Sequence, residues 1–450
     1  MTSIIDASIE TSLDTPDPIS KTHWEFAGDY EGRAIMFLKK ADQRRHRCFS
    51  WGIAFMAGLL AISLLLPGGA AQARNIKVGV IDCYSGPPAV FCKDALNGFK
   101  LAVDQINQKG ILGKKIEYTT RDTKFKVDIG LSMAKELVMR ENVDILVGVI
   151  NSGLALALGS FVKKEKVPLF VWIAKSEKIT GAKGHRYVFS TGENTAMAGK
   201  AGGVALSKKP WVRYWIAGDD YEYGHAIANA TWRNLKALKP DVKLIGKSWW
   251  KPGEPDLMPY LTSIAAAKPD AVIFATGGRS MTNIMKTIKA TEMAKKFPIL
   301  LHTSTDHSVN RPLGPNFPVG VLGTADYHFY YPKTSANRAF VKAFEAAYGN
   351  PPGFPAFHGY ITGKFIGEAY KKAGSTDTEK FIDAMSGLKI ASPVGQIEMR
   401  ACDHQVALPM YLGITGKSPQ YNFVYSTNIK TIPASAIMPT CKEIKAARGK

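Results

Sequence analysis

"NIKVGVIDCYSGPPAVFCKDALNGFKLAVDQINQKGILGKKIEY" occupies residues 75–118, and the class of fold follows from it. "IKVGVI" (76–81) is a short apolar run of the kind a buried strand shows. A turn of small residues, Ser85-Gly86-Pro87, comes next. In "DALNGFKLAVDQINQ" (94–108), Leu96, Phe99, Val103 and Ile106 recur on one helical face. "KIEYTTRD" (115–122) then alternates as a strand. Strand, turn, helix and strand make a βαβ unit, in which a crossover helix covers two parallel strands.

The rhythm continues on both sides of that stretch. "DIGLSMAKELVMRE" (128–141) is a second amphipathic helix, and "VDILVGVI" (143–150) and "VPLFVWI" (167–173) are buried strands. After "YVFSTGENTAMAGKAGGVAL" (187–206) the pattern restarts. "VRYWIAGDDYEYG" (212–224), "HAIANATWRNLKAL" (225–238), "VKLIGKSWW" (242–250), "DLMPYLTSIAAAKPD" (256–270) and "AVIFATGG" (271–278) alternate strand and helix. The last third opens with helices (337–349 and 355–374) and returns to strands in 395–415. The expectation is an α/β protein of two similar doubly wound lobes with parallel-sheet cores. In such sheets ligands bind beyond the carboxyl ends of the strands, and two facing lobes form a cleft there.

Residues 1–73 stand outside this pattern. Residues 1–35 are polar and acidic, and are expected to be an untranslated or disordered extension, with Met36 a plausible start. Residues 36–73 join a basic segment (Lys39 to Arg47), an apolar stretch (48–66), Pro67-Gly68-Gly69 and Ala71-Gln72-Ala73. That is the layout of a secretory signal peptide, with cleavage expected after Ala73 and a periplasmic product. The alternative is an uncleaved anchor, since about 19 apolar residues can span a bilayer.

The net charge of +20 raises nucleic acid, anionic membrane or an anionic ligand as partners. The basic residues are scattered and no nucleic-acid motif accompanies them, so no nucleic acid is expected. Beyond residue 73 the cysteines are Cys83, Cys92, Cys402 and Cys441. An even count in an oxidising compartment suggests disulfides. Three pairings are open; Cys83–Cys92 and Cys402–Cys441 are favoured because each lies within one stretch of chain. The first would close the loop over Ser85 to Pro88 and hold Phe91 at the cleft rim. Metal binding is not expected, because CxxC and HxxxH spacings are lacking.

Taken in order, these segments resemble the type I periplasmic solute-binding proteins of ABC importers, in particular the leucine/isoleucine/valine-binding group. "IKVGVIDCYSGP" is similar to the first strand and Ser-Gly-Pro turn of that family. "NGFKLAVDQINQKGILGKKIEY", "VDILVGVINSG", "DDYEYG", "KPDAVIFATGG" and "DHQVALPMYLG" resemble later family segments. The resemblance spans residues 75–415. It implies three crossings between lobes, near 190–195, 324–332 and 394–398. Lobe I is then 74–191 plus 331–395, and lobe II is 192–330 plus 396–450.

The resemblance also implies a ligand set. Lobe I would hold a carboxylate head group with Ser152 and Gly153 after the third strand, and with Ala174, Lys175 and Ser176 after the fourth. Small residues there let backbone N–H groups face an anion, although Ser152 also suits a helix N-cap. Tyr223 from lobe II would lie over the ligand, Gly277 would stand at the end of "AVIFATGG", and Asp306 would receive an ammonium group. Phe91 and Phe357 or His358 would wall the pocket. Two departures weigh against a simple branched-chain amino acid: Trp172 stands where small hydroxylated residues are usual, and Ser152 is the single hydroxyl around 151–154. An aromatic or other hydrophobic carboxylate is the rival; a neutral amide or urea suits the residues less.

The expected function is delivery of a small carboxylate-bearing solute to permease subunits in the inner membrane, by a monomer without cofactor. A periplasmic sensor of the same fold is the alternative. An exported enzyme is a third class, but no GxSxG elbow, Walker A loop or HExxH motif is present.

Overall fold

The computed structural model describes residues 74–86 and 88–449, without the side chain of Arg279. The extension, the signal peptide and its cleavage site lie outside the described residues. Among the described residues no helix is long and apolar enough to cross a membrane.

The first sheet is built from β1 (Ile76–Asp82), β2 (Ile116–Asp122), β3 (Ile145–Gly148), β4 (Leu169–Val171) and β5 (Val188–Ser190). All neighbours are parallel, in the order β2-β1-β3-β4-β5. β1 is buried at every position but Lys77, as a strand paired on both edges and covered on both faces must be. The second sheet contains β6 (Arg213–Asp219), β7 (Lys243–Trp250), β8 (Ala271–Ala275), β9 (Ile299–Leu301) and β10 (Leu322–Ala325). β11 (Lys389–Ser392) and β12 (Gly395–Glu398) form a separate hairpin, and β13 (Met410–Lys417) and β14 (Val424–Ile432) extend the second sheet antiparallel. Its order is β14-β13-β10-β9-β8-β6-β7. The parallel parts of the two sheets therefore have the same winding. Each reverses direction beside its first strand, between β1 and β3 and between β6 and β8. At such a switch point the loops leaving neighbouring strands splay apart and leave a crevice.

Helices cover these sheets. α1 (Ala89–Asn107), α2 (Val127–Met139) and α3 (Ser152–Glu165) link the first strands. α4 (Thr195–Ser207) and α5 (Glu222–Leu238) open the second lobe, followed by α6 (Met258–Ala267), α7 (Gly278–Ala290), α8 (Met293–Lys296) and α9 (His307–Asn310). α10 (Ser335–Tyr348), α11 (Phe354–Ala373) and α12 (Thr378–Met385) return to the first lobe. There α11 lies so close to α1 that a Cβ on Gly98 would stand 1.9 Å from the Ala356 carbonyl oxygen, and one on Gly359 1.9 Å from that of Ala95. In the second lobe Gly199 of α4 meets Ala230 of α5 in the same manner. α13 (Ala434–Ile437) and α14 (Cys441–Ala447) end the fold. Thus the chain passes between lobes after β5, after β10 and after β12.

One disulfide is present among the described residues, Cys402–Cys441, with Cα atoms 5.8 Å apart. The expected Cys83–Cys92 bridge is not formed; both are free and buried. The Cys83 thiol donates to the Ser85 carbonyl at 2.7 Å, and the Cys92 thiol to Asp82 Oδ1 at 3.1 Å. Burial pushes the Cys83 thiol up to about 12 and the Cys92 thiol well above its ordinary range. The thiolate that disulfide formation requires is thereby suppressed. Closeness in sequence had suggested a bond where the chain instead uses a thiol to satisfy a buried carboxylate.

Candidate functional site

The first strand of each lobe ends in a buried aspartate, Asp82 on β1 and Asp219 on β6. Asp82 accepts from the indole of Trp172 at 2.6 Å, the Cys92 thiol, and the Cys83 and Ile150 N–H groups at 2.9 Å each. Asp219 accepts from the indole of Trp250 at 2.9 Å, from Thr276 Oγ1 at 2.7 Å and from the Gly277 N–H at 3.0 Å. Burial raises both carboxyls, and the donors oppose it. Each aspartate so pins the backbone leaving its neighbouring strands at the switch point. Trp172 is spent in this way, inside the first lobe, and does not line the cleft.

Between the lobes those pinned loops enclose a cavity of ≈ 50 Å³ lined by residues of both. Phe91, Ile150, Ile173, Lys175 and Phe354 come from one side, and Tyr221, Tyr223, Gly277, Gly278, Met281 and Thr303 from the other. At ~10–15 Å³ of such volume per water it has room for about four waters, or ~120 Å³ of liquid, the size of one small ring bearing a carboxylate. A larger recess of ≈ 620 Å³ beside Lys163, Arg186 and Arg448 takes no residue from the carboxyl ends of β6 or β8. A recess of ≈ 650 Å³ shares Phe91 and Gly278 with the inter-lobe cavity but takes no residue from the loops after β3 and β4, so the cavity that gathers residues from beyond β3, β4, β6 and β8 is the candidate site.

Its walls are apolar and aromatic. The charged group among its described lining residues is Lys175, with its ammonium 4.2 Å from the centre of the Phe354 ring. Behind Lys175 lies a buried polar cluster drawn from three segments. Lys175 forms an ion pair with Glu193 Oε1. The Glu193 N–H donates to Asp326 Oδ2 at 3.2 Å, and His358 Nε2 lies 2.6 Å from that oxygen and 3.6 Å from Glu193 Oε2. Glu193, Asp326 and His358 are at most 1 % exposed. Glu193 Oε2, Asp326 Oδ1 and His358 Nδ1 have no hydrogen-bond partner among the described residues. Burial, reinforced by Asp326, raises the Glu193 carboxyl to about 8 against the pull of Lys175. Burial lowers His358 to about 3, leaving it neutral. Two carboxyls and an imidazole are side chains of a metal-binding kind, but the cation on this group is the Lys175 ammonium; the group serves as its counter-charge.

The lobes touch across the cleft mouth. Ser176 Oγ donates to Glu222 Oε1 at 2.6 Å, and Lys178 Nζ lies 3.0 Å from Glu222 Oε2. Arg233 reaches Glu177 at 3.1 Å, and the rings of Phe125 and Tyr221 meet edge to face at 5.8 Å.

Of the residues expected from sequence, Phe91, Lys175, Tyr223 and Gly277 lie together in this cavity. Ser152, Gly153, Ala174, Ser176, Asp306 and Phe357 lie outside its lining. Ser152 opens α3, whose N-cap is Asn151, and its Oγ accepts from the Ser176 N–H at 3.3 Å. Gly153 follows it in the first turn of α3, and Ala174 is buried beside Lys175. Asp306 caps α9, with Oδ1 on the Ser308 N–H at 2.8 Å and Oδ2 on the Phe354 N–H at 3.1 Å. Phe357 stacks on Tyr327 at 4.7 Å within the first lobe's helical layer. One turn earlier on α11, Phe354 takes the wall position. Phe354, Tyr221, Met281 and Glu193 were missed. Tyr221 and Glu193 carried a signal, each lying in a loop that follows a strand; Phe354 and Met281, on helices, carried none.

Residues 75–416 match the family described as periplasmic binding protein. Among curated relatives, the leucine-, isoleucine-, valine-, threonine-, and alanine-binding protein of Pseudomonas aeruginosa is 22% identical over 80% of this chain and 92% of its own length. Among solved structures, a periplasmic binding protein from Burkholderia mallei superposes with a TM-score of 0.77 at 24% identity, covering 84% of this chain and all of that one (100%). An ABC-transporter solute binding protein from Rhodopseudomonas palustris BisB5, in complex with 3,4-dihydroxy benzoic acid, gives 0.73 at 24% identity, covering 80% and 98%.

Proposed function

The chain belongs to the periplasmic binding protein family, and on that premise we propose that it closes its two lobes on an aromatic carboxylate and hands it to the permease of an ABC importer. The observation that carries the ligand class is the make-up of the cavity. Phe91, Phe354, Tyr221 and Tyr223 offer ring faces and edges, and Lys175 offers one ammonium. The described lining residues include no carboxylate to receive an ammonium, and both oxygens of Asp306 are held by backbone N–H groups. A ring with one carboxylate suits the ring faces and the ammonium of the described lining, whereas an α-amino acid would bury its ammonium without a carboxylate partner among those residues, which is costly. The Rhodopseudomonas protein carries 3,4-dihydroxy benzoic acid and the Pseudomonas relative is named for leucine, isoleucine, valine, threonine and alanine; the cavity of this chain favours the former kind of solute.

In this reading the carboxylate docks at Lys175 from the first lobe. Tyr221 and Tyr223 on the second lobe cover the ring, and Ser176–Glu222 and Glu177–Arg233 latch the mouth. Ligand contacts to both lobes favour the closed form by their differential affinity. Export through a signal ending at Ala73, a monomeric state and lobes bounded at 74–191 with 331–395 and 192–330 with 396–450 belong to the same proposal. The test is a thermal-shift screen of residues 74–450 against benzoate, hydroxybenzoates, leucine, phenylalanine and benzamide. A ligand that binds only the folded protein raises Tm by mass action. Shifts confined to aromatic carboxylates are expected; a shift with leucine and none with benzoates overturns the ligand class.

A further inference from the structure

We propose that binding of a carboxylate at Lys175 is coupled to uptake of one proton by the Glu193–Asp326 pair, so that the segments joining the lobes govern how tightly an anionic solute is held. The inference rests on the reading of the ligand as a carboxylate. Glu193 stands between β5 and α4 and Asp326 just after β10, which are two of the three passages between lobes. His358 comes from α11 and Lys175 from the loop after β4. Lys175 pairs directly with Glu193, and the Asp326 carboxyl lies within 4.8 Å of the Glu193 carboxyl in the same buried space, so one ammonium stands against two neighbouring acids. A ligand carboxylate brought to the same ammonium makes three acids for one cation. Like charges at such range disfavour simultaneous ionisation, so one of the three is held neutral. A simple aromatic acid ionises more readily than a buried glutamic acid, so the proton resides on the protein.

Among the described residues that surround the pair, no other group absorbs the charge in alkaline solution. His358 and His302, which face Lys175, are both held neutral to about 3 by burial. Tyr223, which faces Glu193, is pushed upward by burial and stays neutral. Asp306, which faces Asp326, is raised to about 7 by burial. Glu193 is raised further, to about 8, and so remains the changing group in more alkaline solution. Below that value the pair already carries its proton and ligand binding needs no uptake. Above it each binding event must draw a proton from solvent.

The test is the dissociation constant of benzoate for the intact protein between pH 7 and 9.5. It is expected to be level to about pH 8 and then to weaken toward tenfold per pH unit, the slope for one proton taken up. Glu193→Gln is expected to flatten the alkaline limb to less than about twofold per unit, and Asp326→Asn, which removes the other carboxyl, to do the same. A loss of charge on Lys175 itself would persist in both variants. Benzoate binding with a level profile in the parent protein, or an unchanged alkaline slope in both variants, overturns the coupling while leaving the carboxylate reading intact. Failure of benzoate to bind at any pH overturns that reading, and the coupling with it.

Discussion

Asp82 and Trp172 show how a buried acid is used to hold a binding loop. The Trp172 indole is one of four donors to Asp82, 2.6 Å from Oδ2. Trp172→Phe keeps most of the buried volume and removes that donor. Leaving a buried acceptor short of a partner costs about 1–3 kcal/mol. Urea unfolding is expected to register a loss in that range, and an unchanged midpoint would contradict the assignment. His328 offers a second case. It stacks on Tyr330 at 5.1 Å, and neither ring nitrogen has a partner among the described residues. Burial lowers it to about 3 from an ordinary 6.5. The unfolded chain therefore binds a proton below pH 6.5 that the native protein refuses until about pH 3, so this residue costs stability as pH falls through that window. His328→Phe is expected to gain on the parent by up to about 1.4 kcal/mol per pH unit through that window, and denaturation at pH 7 and pH 5 measures the difference. An equal ΔΔG at both pH values would show that the histidine is not held neutral.

At the scale of elements, the strands were legible and the helix faces less so. Buried parallel strands read as unbroken apolar runs, so β1, β3, β4, β6 and β8 could be placed from sequence alone. Lys175, Tyr223 and Gly277, which the family resemblance implied, lie just beyond the ends of β4, β6 and β8 and line the cavity. Phe354 and Met281 lie on helices, and which helical face meets the cleft is decided only when α11 and α7 dock. Choosing Phe357 over Phe354 was an error of one helical turn of that kind. The Glu193–Asp326–His358 group was illegible because three segments more than a hundred or thirty residues apart supply one member each. The Cys83–Cys92 pair misled because nearness along the chain says nothing of where an acceptor such as Asp82 stands. The docking of α11 is itself testable. Gly98→Ala would place a methyl 1.9 Å from the Ala356 carbonyl, and backbone must yield. A loss of about 1–3 kcal/mol is expected. Replacing Gly349, whose added Cβ would meet nothing within 4 Å but whose φ is +72°, tests conformational strain instead of packing.

For the whole molecule, the repeat of one winding in two lobes explains why a single cleft forms. Each lobe directs its switch-point loops at the other, and the matched aspartates hold those loops in place. What remains between them is a small space whose described lining has aromatic walls and the Lys175 ammonium, with its counter-charge where the chain passes between lobes. The central claim is that this ammonium selects a carboxylate on an aromatic body. Calorimetric titration of the intact protein at pH 7 with benzoate, benzamide and leucine, repeated with Lys175→Met, tests it most directly. The account predicts benzoate binding in the range of about 1 μM, weakened at least tenfold for benzamide and for the Lys175→Met variant. Leucine bound more tightly than benzoate, or benzoate bound equally well without Lys175, would contradict it.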